Sequence, residues 1–116
     1  MRSTAEVLAH HLKCFAARDL DGILADYSVD ALFLSVEGAL RGPDAIRAVF
    51  EKVFSQFAKP GASVASKLRL VEGDYAHLVW SAETADISYE LASDTFVIRN
   101  GSIQMQAFTA KVRPKH

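Results

Sequence analysis

Residues 19–47, DLDGILADYSVDALFLSVEGALRGPDAIR, change their hydrophobic period twice within one short stretch. Leu20, Ile23, Leu24 and Tyr27 share one face of a helix spanning about 19–28. Asp30 marks a turn or cap, and Ala31 to Val36 is apolar and rich in strand-forming residues. Glu37-Gly38 breaks that strand, and a loop leads to Gly42-Pro43-Asp44. Pro43 fits the first turn of a new helix, where its missing N–H costs nothing, and Asp44 lies beside the positive end of the helix dipole. The order is short helix, strand, loop, helix.

Upstream, Val7, Leu8, His11, Leu12 and Phe15 recur at helical spacing over 3–18, with Ser3 or Thr4 as the N-cap. Downstream, the third helix carries Ile46, Val49, Phe50, Val53, Phe54 and Phe57 on one stripe and stops at Lys59-Pro60-Gly61. Strands are expected at about 63–72, 75–84, 86–92, 93–100 and 102–112. Gly73-Asp74 and Asn100-Gly101 are turn signals, the second a strong hairpin cue. Three helices followed by a run of antiparallel strands is an α+β order, with the helices covering one sheet face. A closed eight-stranded barrel is disfavoured, because helices occupy the first half.

A chain of 116 residues is expected to form one domain, 1–116, burying about two-thirds of its unfolded surface. Thirteen basic residues against fourteen acidic ones leave no surplus for a phosphate backbone, which argues against a nucleic-acid partner. Lys111, Arg113 and Lys115 read as a solvated tail. The lone Cys14 excludes an internal disulfide and fits a reducing compartment. No apolar run approaches about 18 residues, and MRSTAEVLAHHLK has no uninterrupted apolar stretch, so the expectation is a cytoplasmic protein with no membrane partner. His10, His11, His77 and His116 show no metal-ligand spacing, so neither a metal nor a cofactor is expected.

The DLDGI helix, the VDALFLS strand, GPDAIR and the final MQAF strand, in that order, resemble the nuclear transport factor 2-like superfamily, and within it the ketosteroid-isomerase and SnoaL-like branch. The resemblance implies a cone: three N-terminal helices packed in a strongly curved, mixed but mainly antiparallel sheet around one pocket. In the isomerases a carboxylate on the first strand shuttles a proton, while a tyrosine and a protonated aspartic acid donate hydrogen bonds to the enolate. The position matching the shuttling carboxylate is Ser35, which has no basic side chain. His11 matches the hydrogen-bonding tyrosine, Tyr27 keeps a supporting tyrosine, Phe50 replaces another, and Asp94 matches the second acid. Negligible ketosteroid isomerisation is therefore expected.

Each residue also has a plainer reading. His11 points inward and suits a hydrogen-bonded core histidine, whereas His10 is expected at the surface. Tyr27 suits the core, with its hydroxyl needing a partner. Asp94 shares strand parity with Phe96 and Ile98, which faces an acid onto an apolar surface; the alternative is an aspartate capping a turn after Ser93. Glu37 shares parity with Ser35 and is either a substitute base or a solvated loop residue. Cys14 reads as a small buried filler. Parity leaves the faces of Trp80 and His77 open, and Arg69 and Arg99 belong to no Asp-Arg-Asp set of the epoxide-hydrolase kind.

The expected catalytic set is His11, Tyr27 and Asp94. The expected pocket lining is Phe33 and Ser35 from the first strand, Phe50 and Phe54 from the third helix, and Phe96 beside Asp94. Met105 and Ala107 complete it, because Ile103, Met105, Ala107 and Thr109 form the apolar face of the last strand. Gln104, Gln106 and Phe108 then cover the outer sheet, where a homodimer is expected. The function these readings favour is a pocket for a small apolar or amphipathic molecule, with isomerase-, cyclase- or dehydratase-type activity. The alternative is a noncatalytic dimeric binding or assembly module.

Overall fold

The structure is a computed structural model and describes residues 1–116. Helix α1 (Thr4–Ala17) begins at a reciprocal cap: Ser3 Oγ accepts from the Glu6 N–H at 3.1 Å, and Glu6 Oε1 accepts from the Ser3 N–H at 2.8 Å. It ends where Arg18 turns left-handed, with φ of 53°. Its buried face is Val7, Leu8, His11 and Cys14, at three- and four-residue steps. Helix α2 (Leu20–Leu24) is capped by Asp19, whose Oδ1 accepts from the Gly22 N–H at 2.9 Å. A Cβ on Gly22 would clash with the Asp19 carboxylate and lie 2.9 Å from Cys14 Sγ, so a larger residue there would push aside the side chain that caps α2.

Helix α2 stops four residues short of the expected end, and Tyr27 opens strand β1 (Tyr27–Ser35). The cause is tertiary. The Asp26 carbonyl accepts from the Ile103 N–H at 2.7 Å and its carboxylate is held by α1, so the backbone is pulled into the sheet. Strand β2 (Gly38–Arg41) pairs back on β1 where a loop was expected; four residues are too few to show a period. Helix α3 (Pro43–Phe57) starts at Gly42 and buries Ile46, Phe50, Phe54 and Phe57.

Strands β3 (Ser63–Glu72), β4 (Tyr75–Glu83), β5 (Ile87–Arg99) and β6 (Ser102–Pro114) complete a six-stranded, curved, open sheet of order β2-β1-β6-β5-β4-β3. All neighbours are antiparallel except β1 and β6. Together with the three helices this is the α+β cone. Strand β5 is one continuous strand where two were expected: Ser93 pairs with Val79 on one side and Thr109 on the other, so nothing breaks there. Asn100 and Gly101, with φ of 54° and 72°, make the β5–β6 hairpin.

Immediately after that hairpin, Ile98 pairs with Ile103 but Val97 pairs with Met105, leaving Gln104 as an extra residue in β6. This bulge reverses the side-chain alternation. Ile103 faces the core before it, and Gln106, opposite Phe96, faces the core after it. Met105 and Ala107 therefore lie on the outer face, which corrects their expected place in the pocket, and Gln106 and Phe108 leave the expected dimer face for the interior. No helix is long and apolar enough to cross a membrane.

Candidate functional site

Between α1, α3 and the concave face of β3–β6 lies a cavity of about 260 Å³. Fourteen of its nineteen lining residues are hydrophobic, so the body of any occupant is apolar. Phe15, Phe33, Val49, Phe50, Phe96 and Phe108 supply much of the wall, and Trp80 stacks on Phe108 with ring centroids 6.2 Å apart. The polar lining residues are His11, Ser66, Arg69, Asp94 and Gln106.

Asp94 sits on the buried face of β5 with Ala92, Phe96 and Ile98, as its strand parity requires. Its two oxygens are held separately: Trp80 Nε1 donates to Oδ2 and Gln106 Nε2 donates to Oδ1, each at 2.8 Å. Burial pushes the Asp94 carboxyl above the ordinary aspartate range, and the hydrogen bonds from Trp80 and Gln106 only partly oppose it. Gln106 Oε1 in turn accepts from the Tyr27 hydroxyl, giving a chain from Tyr27 through Gln106 and Asp94 to Trp80. Tyr27 is buried behind the cavity, and its hydroxyl is raised well above 10 by burial and by the charges of Asp94 and Asp26. Its hydroxyl is linked to the cavity by the hydrogen bond to Gln106.

His11 lies edge-on to Tyr27, Phe50 and Phe96, with centroid distances of 5.5, 5.9 and 5.6 Å. Behind it is Asp26, fully buried, which the sequence reading passed over. Asp26 Oδ1 is 2.9 Å from Arg2 Nη1 and 2.7 Å from His10 Nδ1, and Oδ2 is 3.5 Å from His11 Nδ1. Burial raises the Asp26 carboxyl, but the nearby His11 ring and the hydrogen bonds from Arg2 and His10 outweigh it and leave the group below its ordinary range. His10 is thus not simply a surface residue: its side chain is 41% exposed, yet its ring is tied to a buried carboxylate. A signal for Asp26 existed in the sequence, an acid set among Ile23, Leu24 and Tyr27 where the helix runs into the strand.

The other expected lining residues divide. Phe33, Phe50 and Phe96 face the cavity. Phe54 is buried in the core between Phe15 and Phe50 and does not reach it. Ser35 is half-buried at the end of β1, outside the lining, with Oγ accepting from the Glu37 N–H at 3.2 Å. Glu37 is exposed at the β1–β2 turn and does not stand in for a base. His77 bonds Thr95 on the other face of the sheet at 2.8 Å, and burial raises the Cys14 thiol, with Asp19 and Asp26 adding to the effect. Trp80, whose face parity leaves open, lines the cavity, and so do Gln106 and Phe108, which were expected on the outer face and which the bulge at Gln104 turns inward.

The family model for the SnoaL-like domain matches residues 8–105, from within α1 to the start of β6. The chain belongs to the SnoaL-like family. Solved structures agree on the fold of this SnoaL-like domain. An NTF2-like protein of unknown function from Cytophaga hutchinsonii superposes with a TM-score of 0.76 at 12% identity, covering 96% of this chain and 92% of that one. A provisionally designated ketosteroid isomerase from Kribbella flavida gives 0.75 at 11% identity, over 93% and 77% of the two chains. TerC, co-crystallised with polyporic acid, gives 0.73 at 17% identity, over 93% and 91%. No curated protein matches this chain in sequence.

Proposed function

We propose that the 1–116 domain holds a largely apolar small molecule in its cavity, with an oxygen of that molecule directed at His11 and Asp94. Chemistry of the isomerase, cyclase or dehydratase type is the activity this arrangement supports, with His11 and Asp94 at the ligand and Tyr27 acting through Gln106. The observation that carries the proposal is Asp94, a buried carboxyl held by Trp80 and Gln106 on a wall that is mostly apolar. A carboxyl raised by burial donates a hydrogen bond in its protonated form, which is what an oxygen gaining negative charge needs. Ketosteroid isomerisation by the first-strand carboxylate is disfavoured, since Ser35 takes that place and lies outside the lining. The same two facts about Ser35 favour the second reading, noncatalytic binding.

The likeness to TerC supports a small-molecule ligand by analogy of fold only. A homodimer through the outer face of the sheet is also proposed, now with Met105, Ala107 and Leu34 on that face; Leu34 pairs with Ala107 and is 37% exposed. A cytoplasmic location fits the single buried Cys14. Native mass spectrometry of the purified protein tests the central claim. A retained apolar oxygen compound, lost in Asp94→Asn, supports it. Retention unchanged in Asp94→Asn and in His11→Ala refutes the placement of that oxygen.

A further inference from the structure

Arg69 is a cation without a protein acceptor. Arg2, Arg18, Arg41, Arg47, Arg99 and Arg113 each engage a carboxylate or a backbone carbonyl of the chain. Arg69, exposed on the edge strand β3, engages none. Two features of the sheet put it on the cavity. Ser66 pairs with Trp80 and Leu68 with Val79, so Lys67 is an extra residue in β3. Ser66 and Arg69, three apart, thereby share a face that simple alternation would deny one of them. Across the sheet Arg69 pairs with Leu78, Leu78 with Asp94, and Asp94 with Phe108, and directly paired residues point the same way. Leu78 and Asp94 are buried, so that way is inward, and Ser66 and Arg69 both line the cavity.

Resting on the cavity reading above, we propose that the ligand is an amphipathic carboxylic acid, its apolar body inside the cavity and its carboxylate on the Arg69 guanidinium at the exposed edge, beside the Ser66 hydroxyl. Arg69 is the one permanent cation of the lining, and its planar fork matches a single carboxylate in charge and shape. The inner end cannot take the carboxylate instead. Asp94 there already receives Trp80 and Gln106, and an anion among the aromatic rings would lose its water for no fixed positive charge. At the edge both charges keep part of their hydration, while the body of the ligand gains the apolar wall. Neighbouring strands lie about 4.8 Å apart, so the backbones at Arg69 and Asp94, two strands apart, are about 10 Å from each other along the row. One small molecule reaches both, with a neutral oxygen at Asp94 and His11 and an ionised carboxylate at Arg69. The Arg69 contact binds and orients; no bond is made or broken there.

Calorimetric titration of the full chain at neutral pH tests this, with 2-naphthoate and with 2-naphthamide, its uncharged counterpart of nearly equal shape. The indole N–H resonance of Trp80, a lining residue, reports whether each probe enters the cavity. Both are expected to shift it. Naphthoate binds about tenfold more tightly, between the worth of an exposed ion pair and that of a buried charge-assisted one. In Arg69→Gln that preference disappears while naphthamide affinity is unchanged, which also shows the variant to be folded. Lys67→Gln removes a neighbouring exposed charge outside the lining, and there the preference stays within about twofold of wild type. Equal affinity for the two probes in wild type, a preference that survives Arg69→Gln, or the same loss in Lys67→Gln overturns the inference; with Trp80 shifted, the cavity reading stands. An Arg69→Gln that weakens both probes alike shows a structural role and overturns it as well. If neither probe moves the Trp80 resonance, the ligand class is wrong. If native mass spectrometry also finds no apolar molecule retained, the cavity reading falls with it.

Discussion

Asp26→Asn removes a charge from the most enclosed carboxylate in the protein, and its cost follows from how its partners are exposed. Taking one partner from a fully buried ion pair costs about 3–5 kcal/mol, because the other charge is stranded. Here Arg2 and His10 have side chains 38% and 41% exposed, so both regain water when the carboxylate goes. What remains is the loss of charge-assisted hydrogen bonds, about 1.5–3 kcal/mol, and an estimate of about 2 kcal/mol follows. For a chain of 116 residues that is a fall of about 8 °C in melting temperature. The pH dependence has a definite sign. The folded-state pKa of Asp26 lies below its ordinary value of 3.8, so the unfolded chain binds more protons as the solution is acidified. The stabilisation is complete above the unfolded value and is lost as pH falls through the lower folded one. Urea unfolding followed by the fluorescence of the single tryptophan, Trp80, therefore shows wild type and variant far apart at neutral pH and converging below about pH 4. A variant within about 0.5 kcal/mol of wild type at neutral pH, with the same acid limb, refutes a buried ionised Asp26.

Phe96→Ala deletes a ring that is 1% exposed and costs about 3–5 kcal/mol in chemical denaturation; a cost under about 1 kcal/mol refutes its place in the core. Trp80→Phe removes the donor to Asp94 Oδ2 and moves the Asp94 titration midpoint further up, read from its carboxyl carbon by NMR; a midpoint that stays or falls contradicts the hydrogen-bond geometry. Light scattering at tens of micromolar gives a dimer mass for wild type and a monomer mass for Ala107→Glu, and a monomeric wild type ends the outer-face proposal.

The helices were legible because each carries its own signal: a capping Ser3, a Pro43 start, a stripe of Ile46, Phe50, Phe54 and Phe57. Strand parity placed Asp94 and Phe96 correctly, since β5 runs without a break in alternation from Ala92 to Ile98. Two failures share one origin, in that tertiary contacts overrode local pattern. The helical face running through Tyr27 looked continuous, but the sheet captured the backbone at Asp26 through Ile103. Alternation along β6 also looked continuous, but Gln104, whose side chain donates to the Arg99 carbonyl at 3.0 Å, takes no cross-strand position of its own. Asp26 was passed over for a different reason. Its partners Arg2, His10 and His11 belong to another helix and the segment before it, so nothing near Asp26 in the chain announces them.

The extra residue at position 104 acts as a selector for what the last strand shows to the interior. Removing it would bring the remainder of β6 back into simple alternation. Met105 and Ala107 would then turn inward, while Gln106 and Phe108 would turn out. Such a one-residue deletion would cut Tyr27 off from Asp94 and exchange an amide for a thioether without altering any codon that encodes the wall. Within this architecture, a change of length beside a hairpin is thus a route to new cavity chemistry that bypasses point substitution. Relatives matched across this strand without regard to the bulge would have their interior residues assigned to the wrong side.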